Sequence, residues 1–364
     1  MNKRVVTFGE VMGRFAPDEF LRFSQVMPGR LNLTFGGAES NVAGSVALLG
    51  GSAAFVSALP KNALGDACIA FLRSLGVDIS GIVRTAKGRL GLYFLETGAN
   101  QRPGNVIYDR ENSAVAITPA DAYNWNEIFE GASWFHISGI TPAISGTAAE
   151  VSLAAVKAAQ ANNVPVSCDL NFRKKLWKWD SALQPRELAE KTMRNMLPYV
   201  DLVIANEEDA SDVLGIHAAD TDVNSGKIAI DKYPQVAGKI VSQFPNVSKV
   251  AITLRESVSA SHNNWGAMLY DAKTEEAFYA PLKSGEYEPY EMRNIVDRVG
   301  GGDSFAAGLI FALTTPELSE NCKAISFAVA ASCLAHSISG DINFSSRQEV
   351  EALMGGSGSG RVVR

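Results

Sequence analysis

Asp297-Arg298-Val299-Gly300-Gly301-Gly302-Asp303-Ser304-Phe305-Ala306-Ala307-Gly308 is the stretch whose reading decides the fold. Three glycines in a row let the backbone turn tightly and leave N–H groups uncovered. The apolar run after them, residues 303–313, has helical spacing. A helix N-terminus adds unpaired N–H donors and partial positive charge, so loop and helix together make a cradle for an anion such as a phosphoryl group. Asp303 stands at the start of that helix. A carboxylate there either caps the helix or accepts a proton from an attacking hydroxyl. No Lys-Ser/Thr pair follows the glycines, so this is not a Walker A loop. The first strand ends in Phe8-Gly9-Glu10, without the glycine fingerprint of a dinucleotide site.

Outward from this motif, short apolar runs at 5–11, 53–58, 134–137, 164–170, 201–206 and 249–254 alternate with helical stretches. The helical patterns span 38–49, 64–75, 147–162, 185–196, 207–214, 233–244 and 323–336. This βα alternation predicts an α/β fold: a mostly parallel sheet with helices on both faces. Such sheets hold ligands at the carboxyl ends of their strands, which draws attention to Asp169, Asn171, Arg173 and Asn206. Two segments, about 12–35 and 89–117, break the alternation and read as strands with turns. They are either plain surface hairpins or a small sheet serving as a lid over the crevice. Residues 1–353 read as one domain carrying these insertions. Residues 354–364 read as a flexible Gly/Ser-rich tail.

Composition narrows the function. The 364 residues carry 33 Lys+Arg against 39 Asp+Glu, a net charge of −6, which argues against nonspecific nucleic-acid binding. No apolar run reaches the roughly 18–20 residues of a membrane span, and the N-terminus enters a strand without a signal-peptide core. A cytoplasmic protein is expected. The four cysteines, Cys68, Cys168, Cys322 and Cys333, form no CxxC and read as reduced core thiols. The four histidines show no metal-ligand spacing.

The stretch 297–308 resembles the C-terminal signature of the PfkB, or ribokinase-like, carbohydrate kinases. Phe35-Gly36-Gly37-Ala38-Glu39-Ser40-Asn41-Val42-Ala43 resembles their N-terminal signature, in the right order and spacing. Within the family, the chain is most similar to the branch acting on 2-keto-3-deoxygluconate. Tyr108-Asp109-Arg110, Asp169-Leu170-Asn171-Phe172-Arg173 and Thr253-Leu254-Arg255-Glu256-Ser257 carry that likeness. The resemblance implies a three-layer α/β/α core with a β lid, ATP and Mg²⁺ as cofactors, a possible monovalent cation, and a homodimer formed through the lid sheets. Three positions depart from the family pattern. Arg298 stands where a small residue is usual, Gly300-Gly301-Gly302 replaces the commoner Gly-Ala-Gly, and Asp209 ends an Asn-x-x-Glu element.

The resemblance assigns Asp303 as general base and the N–H groups of Gly300, Gly301, Gly302 and Asp303 as the anion hole. Gly36, Gly37 and Asn41 would hold sugar hydroxyls, with Tyr93 and Tyr108 covering the sugar. Arg110 and Arg173 would read a carboxylate, as Arg does in bidentate pairs, and Asp341 would touch the substrate. Thr253, Arg255, Asn206, Gly300 and Gly302 would face ATP, in a groove completed by residues 264–267 and 323–336. Asn206 and Asp209 would hold Mg²⁺ through water. Trp265 reads as packing or as a base-stacking ring. Two alternatives stay open: a kinase of a neutral sugar such as fructose, and a noncatalytic sugar-binding regulator on the same scaffold.

Overall fold

In the computed structural model, residues 3–206, 208–216 and 230–357 are described. The strands in chain order begin with β1 (Arg4–Phe8), β2 (Met12–Ala16), β3 (Asn32–Gly36), β4 (Ser52–Pro60), β5 (Ile82–Thr85), β6 (Gly91–Glu96), β7 (Asn105–Asp109) and β8 (Ala132–Ser138). They continue with β9 (Val166–Asp169), β10 (Leu202–Ala205), β11 (Lys249–Ser259), β12 (His262–Asp271), β13 (Glu276–Ala280), β14 (Leu282–Lys283), β15 (Glu286–Tyr287) and β16 (Tyr290–Arg293). The large sheet runs β13-β12-β11-β10-β9-β8-β1-β4-β5, with β16 paired to β12. From β11 to β5 every pairing is parallel. Residues 249–254 begin a longer strand than the sequence pattern indicates. Beyond Leu254, β11 runs on through polar residues and pairs antiparallel with β12, extending the sheet as a hairpin.

The helices lie on both faces, and side-chain alternation along each strand feeds two separate cores. In β1, Val6 and Phe8 pack in the core covered by the helices Gly146–Ala161 and Pro185–Met196. Val5 faces the opposite core, under the helices Ala38–Leu48, Gly301–Thr314 and Asn321–Ala335. The helix Gly301–Thr314 is therefore central rather than peripheral, and Phe305, Leu309 and Ile310 on it are fully buried. Truncating such an aromatic to Ala typically costs about 3–5 kcal/mol.

The two β excursions do form one sheet, in the order β3-β2-β6-β7. β2 pairs antiparallel with β3 and parallel with β6, joining the two insertions across 75 residues of sequence or more. Met12, Tyr93 and Leu95 form a small core of its own beneath it. β1 stops at Phe8, short of residue 11, because residues 9–11 are the connector that lifts the chain from the core sheet into the lid.

All four cysteines are free. Cys68 and Cys168 are buried, and burial pushes both thiols up, Cys68 to about 12. Cys322 lies on the surface at the start of its helix, so it is not a core thiol. Among the described residues, no helix is long and apolar enough to cross a membrane. The helix Arg347–Met354 precedes the Gly/Ser-rich tail, of which residues 358–364 lie outside the described residues.

Candidate active site

A cavity of about 350 Å³ opens at the carboxyl ends of β9, β10 and β11, between the lid strands β6 and β7 and the N-terminus of the helix Gly301–Thr314. Most of the sequence-selected residues line it: Gly37, Asn41, Tyr93, Tyr108, Arg110, Arg173, Asn206, Asp209, Thr253, Arg255, Gly300, Gly302, Asp303 and Asp341. Gly36 and Gly301 do not. A Cβ on Gly36 would collide with the Asp341 carboxylate, so this glycine makes room for a neighbour rather than for a ligand. A Cβ on Gly301 would come within 2.6 Å of the His336 ring, and the Gly301 N–H leans back to the Arg298 carbonyl at 3.4 Å. Gly300 has φ of 82°, the left-handed conformation that favours glycine, and a Cβ there would strike the Asp341 carbonyl oxygen. Of the four N–H groups expected to form an anion cradle, that of Gly301 is turned toward a protein acceptor. Gly302 and Asp303 lie in the first turn of this helix, where the helix itself offers their N–H groups no acceptor.

Asn41 connects the two signatures. Its Oδ1 accepts from the Gly37 N–H at 3.1 Å, and its Nδ2 donates to the Asp303 carboxylate at 2.7 Å. Burial pushes the Asp303 carboxyl up to about 7. The Asn41 hydrogen bond and the Arg173 charge oppose that rise, and the Asp341 and Glu39 carboxylates add to it. A carboxylate poised near neutrality is suited to accept a proton. Glu39, two residues before Asn41 on the same helix, is buried and accepts from the Ser138 and Thr141 hydroxyls at 2.7 and 2.8 Å. Its burial raises its own pKa.

The arginines separate into two kinds. Arg110 is buried and ion-paired with buried Glu10, its Nε donating at 2.7 Å, and it lies over the Tyr108 ring. Its charge is already matched by a carboxylate of the protein. Arg173 is exposed, with Nη1 donating to the Phe172 carbonyl at 3.0 Å, and burial raises Asp169, Asp209 and Asp303 against the partial opposition of its charge. Tyr93 is buried and donates its hydroxyl to Asp341. On the far side, burial and then the nearby Arg255 charge lower the pKa of Arg298, which donates to Asn263 at 3.1 Å. Trp265 is buried against His336 at 5.3 Å while bordering the cavity, which favours packing over an open stacking platform. Asn264 is tied to Glu256 and lies outside the cavity lining.

A family model described as pfkB family carbohydrate kinase matches residues 2–254. The chain belongs to the PfkB family of carbohydrate kinases. It is 31% identical to the 2-dehydro-3-deoxygalactonokinase of Haloferax volcanii, over 99% of both chains. It superimposes on the crystal structure of 2-dehydro-3-deoxygluconokinase from Thermotoga maritima with a TM-score of 0.86 and 40% identity, covering 97% of this chain and 99% of that one. It is also 32% identical to Fructokinase-1 of Zea mays, over 60% of this chain and 65% of that one.

In this PfkB kinase the residues expected to serve Mg²⁺ have a structural task as well. Asn206 Oδ1 accepts from the Asp209 N–H at 2.9 Å, and Asp209 Oδ2 accepts from the Asn206 N–H at 3.0 Å. That reciprocal pair closes the turn that leads into the helix Asp209–Leu214. Among the described residues, no group of three or more His, Cys, Asp or Glu forms a protein metal cage. Buried Asp169 and Asp209 nevertheless both line the cavity, and Asp169 is raised by burial and then by the neighbouring Asp209 and Asp303 carboxylates. This excess of negative charge fits a hydrated Mg²⁺, which keeps several waters and binds chiefly through phosphate oxygens.

Sequence reading missed Glu10, Arg14, Glu39 and Asp297 as members of the site's framework. A charged residue inside the glycine-rich run 36–43, as Glu39 is, was the one available signal.

Proposed function

We propose that this kinase transfers the γ-phosphoryl group of ATP to the primary hydroxyl of 2-keto-3-deoxygluconate, giving the 6-phosphate. The observation that carries this reading is one cavity lined by both Asp303, held by Asn41 beside the glycine loop, and exposed Arg173. Arg173 supplies the cation for a sugar-acid carboxylate, and the names of the relatives from Haloferax and Thermotoga support an acid substrate. Asp303 accepts the proton of the attacking hydroxyl. The new O–P bond forms as the bond from the γ-phosphorus to the leaving oxygen of ADP breaks. The N–H groups of Gly302 and Asp303 receive the charge that collects on the phosphoryl oxygens, a term worth about 10²–10³ in turnover per donor. Asp169, Asn206 and Asp209 would hold Mg²⁺ through water, supplying positive charge beside the phosphates. Arg255 and Arg298 border the nucleotide end, and the lid sheet excludes water.

A neutral-sugar kinase is the second reading. It is favoured by the pairing of Arg110 with Glu10, which leaves one fewer cation for an acid, and by the likeness to a fructokinase. The lid's exposed edges support a homodimer formed through it. The deciding experiment is ADP release with ATP and Mg²⁺ on 2-keto-3-deoxygluconate, its galactonate epimer, gluconate, fructose, ribose and adenosine. Turnover on the keto-deoxy acids alone is expected. Turnover on fructose alone would replace the acid reading with the neutral one, and silence throughout would favour a noncatalytic binding protein.

A further inference from the structure

Arg14, on lid strand β2, is 4% exposed and lies outside the cavity lining described above. Its Nη1 donates to Asp341 and its Nη2 to Asp297, two buried carboxylates from separate loops. Each carboxylate grips the glycine loop or the sugar end. Asp297 Oδ1 accepts from the Val299 N–H at 3.1 Å, one residue ahead of Gly300, and its Oδ2 accepts from the Gly340 N–H at 3.2 Å. Asp341 receives the Tyr93 hydroxyl, abuts Gly36 with its carboxylate and abuts Gly300 with its carbonyl. One guanidinium therefore fixes two like charges that would otherwise repel in a poorly solvated place.

We propose that Arg14 is a positioning residue for phosphoryl transfer, holding Asp341 at the sugar end and Asp297 behind the glycine loop in one register with the lid. The inference rests on the chain being a phosphoryl-transferring kinase with the glycine loop as its anion cradle, whichever sugar it uses. A shift of about 1 Å in such a site can cost around 10² in rate.

A second cavity, of about 770 Å³, makes the idea testable without touching the sugar side. Arg14 and Asp297 form part of its wall, together with Asn100, Ser261, Asn294 and Ser339. A small guanidinium ion has room to reach the vacated position from there. ADP release is measured for wild type, Arg14→Ala, Arg14→Lys and Asp297→Asn, on the acceptor that wild type turns over fastest, water included. Added guanidinium chloride is kept at about 10 mM, far below the molar concentrations that unfold proteins.

In Arg14→Ala, kcat should fall at least about 10²-fold, with KM for ATP within about threefold of wild type. Guanidinium should restore kcat about tenfold or more in that variant while leaving wild type unchanged. Arg14→Lys should fall between the two. A kcat within threefold of wild type in Arg14→Ala, or a loss in a folded protein that guanidinium does not relieve, overturns the proposal. Should Arg14→Ala fail to fold, Asp297→Asn decides: an unchanged kcat rejects the role, and a loss of tenfold or more at a melting temperature near that of wild type supports it. Silence of the wild type on the sugars speaks against the substrate reading above, whereas Arg14 is judged on the ratio of variant to wild type.

Discussion

Asn41 and Asp303, 262 positions apart in sequence, meet at 2.7 Å, the amide Nδ2 donating to the carboxylate. The donor favours the ionised form and so opposes the rise that burial imposes on Asp303. If Asp303 is the base, kcat/KM climbs with pH to a plateau reached above about 7. Asn41→Ala should move that rising limb to higher pH. Asp303→Asn should lower turnover by about 10²–10⁴-fold while sugar binding persists. The check is a pH–rate profile of each variant, and a limb that stays put in Asn41→Ala would mean that the amide does not tune the base.

The same shift has a consequence for stability. Asp303 rises from 3.8 to about 7 on folding, so between those values the folded protein holds more protons than the unfolded chain. The contribution of this group to stability is therefore greatest at low pH and is lost as pH rises through that window. Asp303→Asn should melt higher than wild type at pH 8, with the gap closing toward pH 4. Coincident melting curves at pH 8 would show a carboxylate no more perturbed than one in water.

Gly300 and Gly302 should respond differently to one added methyl. Gly300→Ala forces a left-handed backbone on a side chain and drives it into the Asp341 carbonyl, so both melting temperature and turnover should drop. A Cβ on Gly302 meets no atom within 4 Å of the protein. Gly302→Ala should melt close to wild type yet lose at least about tenfold in kcat if, as proposed, phosphate oxygens gather in the space that the methyl borders. Full activity in Gly302→Ala would remove that residue from the anion cradle.

Arg173 and Arg110 should fail in different ways. Arg173→Ala is expected to lose about 10²-fold or more in kcat/KM on an acid substrate, since a charged bidentate contact goes, with little change in melting. Arg110→Ala strands buried Glu10 without its partner, so destabilisation of about 3–5 kcal/mol is expected. Calorimetry beside kinetics separates the two. Equal losses on acid and neutral sugars in Arg173→Ala would end its role in selection.

The lid's edge strands, β3 and β7, each leave an apolar side chain exposed, Leu33 and Ile107. Open edges of this kind invite a partner strand. Light scattering should give a particle of twice 38.9 kDa, and Leu33→Asp or Ile107→Asp should shift it to the single mass. A monomeric wild type at micromolar concentration would leave those edges uncovered.

How much of this was legible beforehand depended on how local the signal was. The helix Pro185–Met196 was read to its ends, because proline at its first position and the Gln184–Glu187 box mark its start. The second lid segment could be read as strands because short apolar and β-branched runs, Leu92-Tyr93-Phe94-Leu95 and Val106-Ile107-Tyr108, stand between turn residues. The antiparallel extension of the sheet escaped notice: β11 continues through Arg255-Glu256-Ser257, whose polarity hides a strand at a sheet margin. Most of the site residues could be named from motifs, yet their partners could not. Arg14 and Asp341 are 327 residues apart, and no pattern of residue types reports such a pair. The Asn206-x-x-Asp209 spacing was ambiguous for a physical reason, since the reciprocal bonds that close this turn and a pair of metal ligands require the same reach.

Cys322 gives the molecule a spectroscopic handle. It is the exposed thiol of the four, Cys68 and Cys168 being buried. Its helix runs from Asn321 to Ala335 and ends at His336, which packs against Trp265 on the wall proposed to face ATP. At about 1.5 Å per residue the label would sit about 21 Å along the axis from that wall. A fluorophore placed there is near enough for energy transfer to an ATP analogue and too far to obstruct it, so arrival of the nucleotide can be timed without introducing a new cysteine.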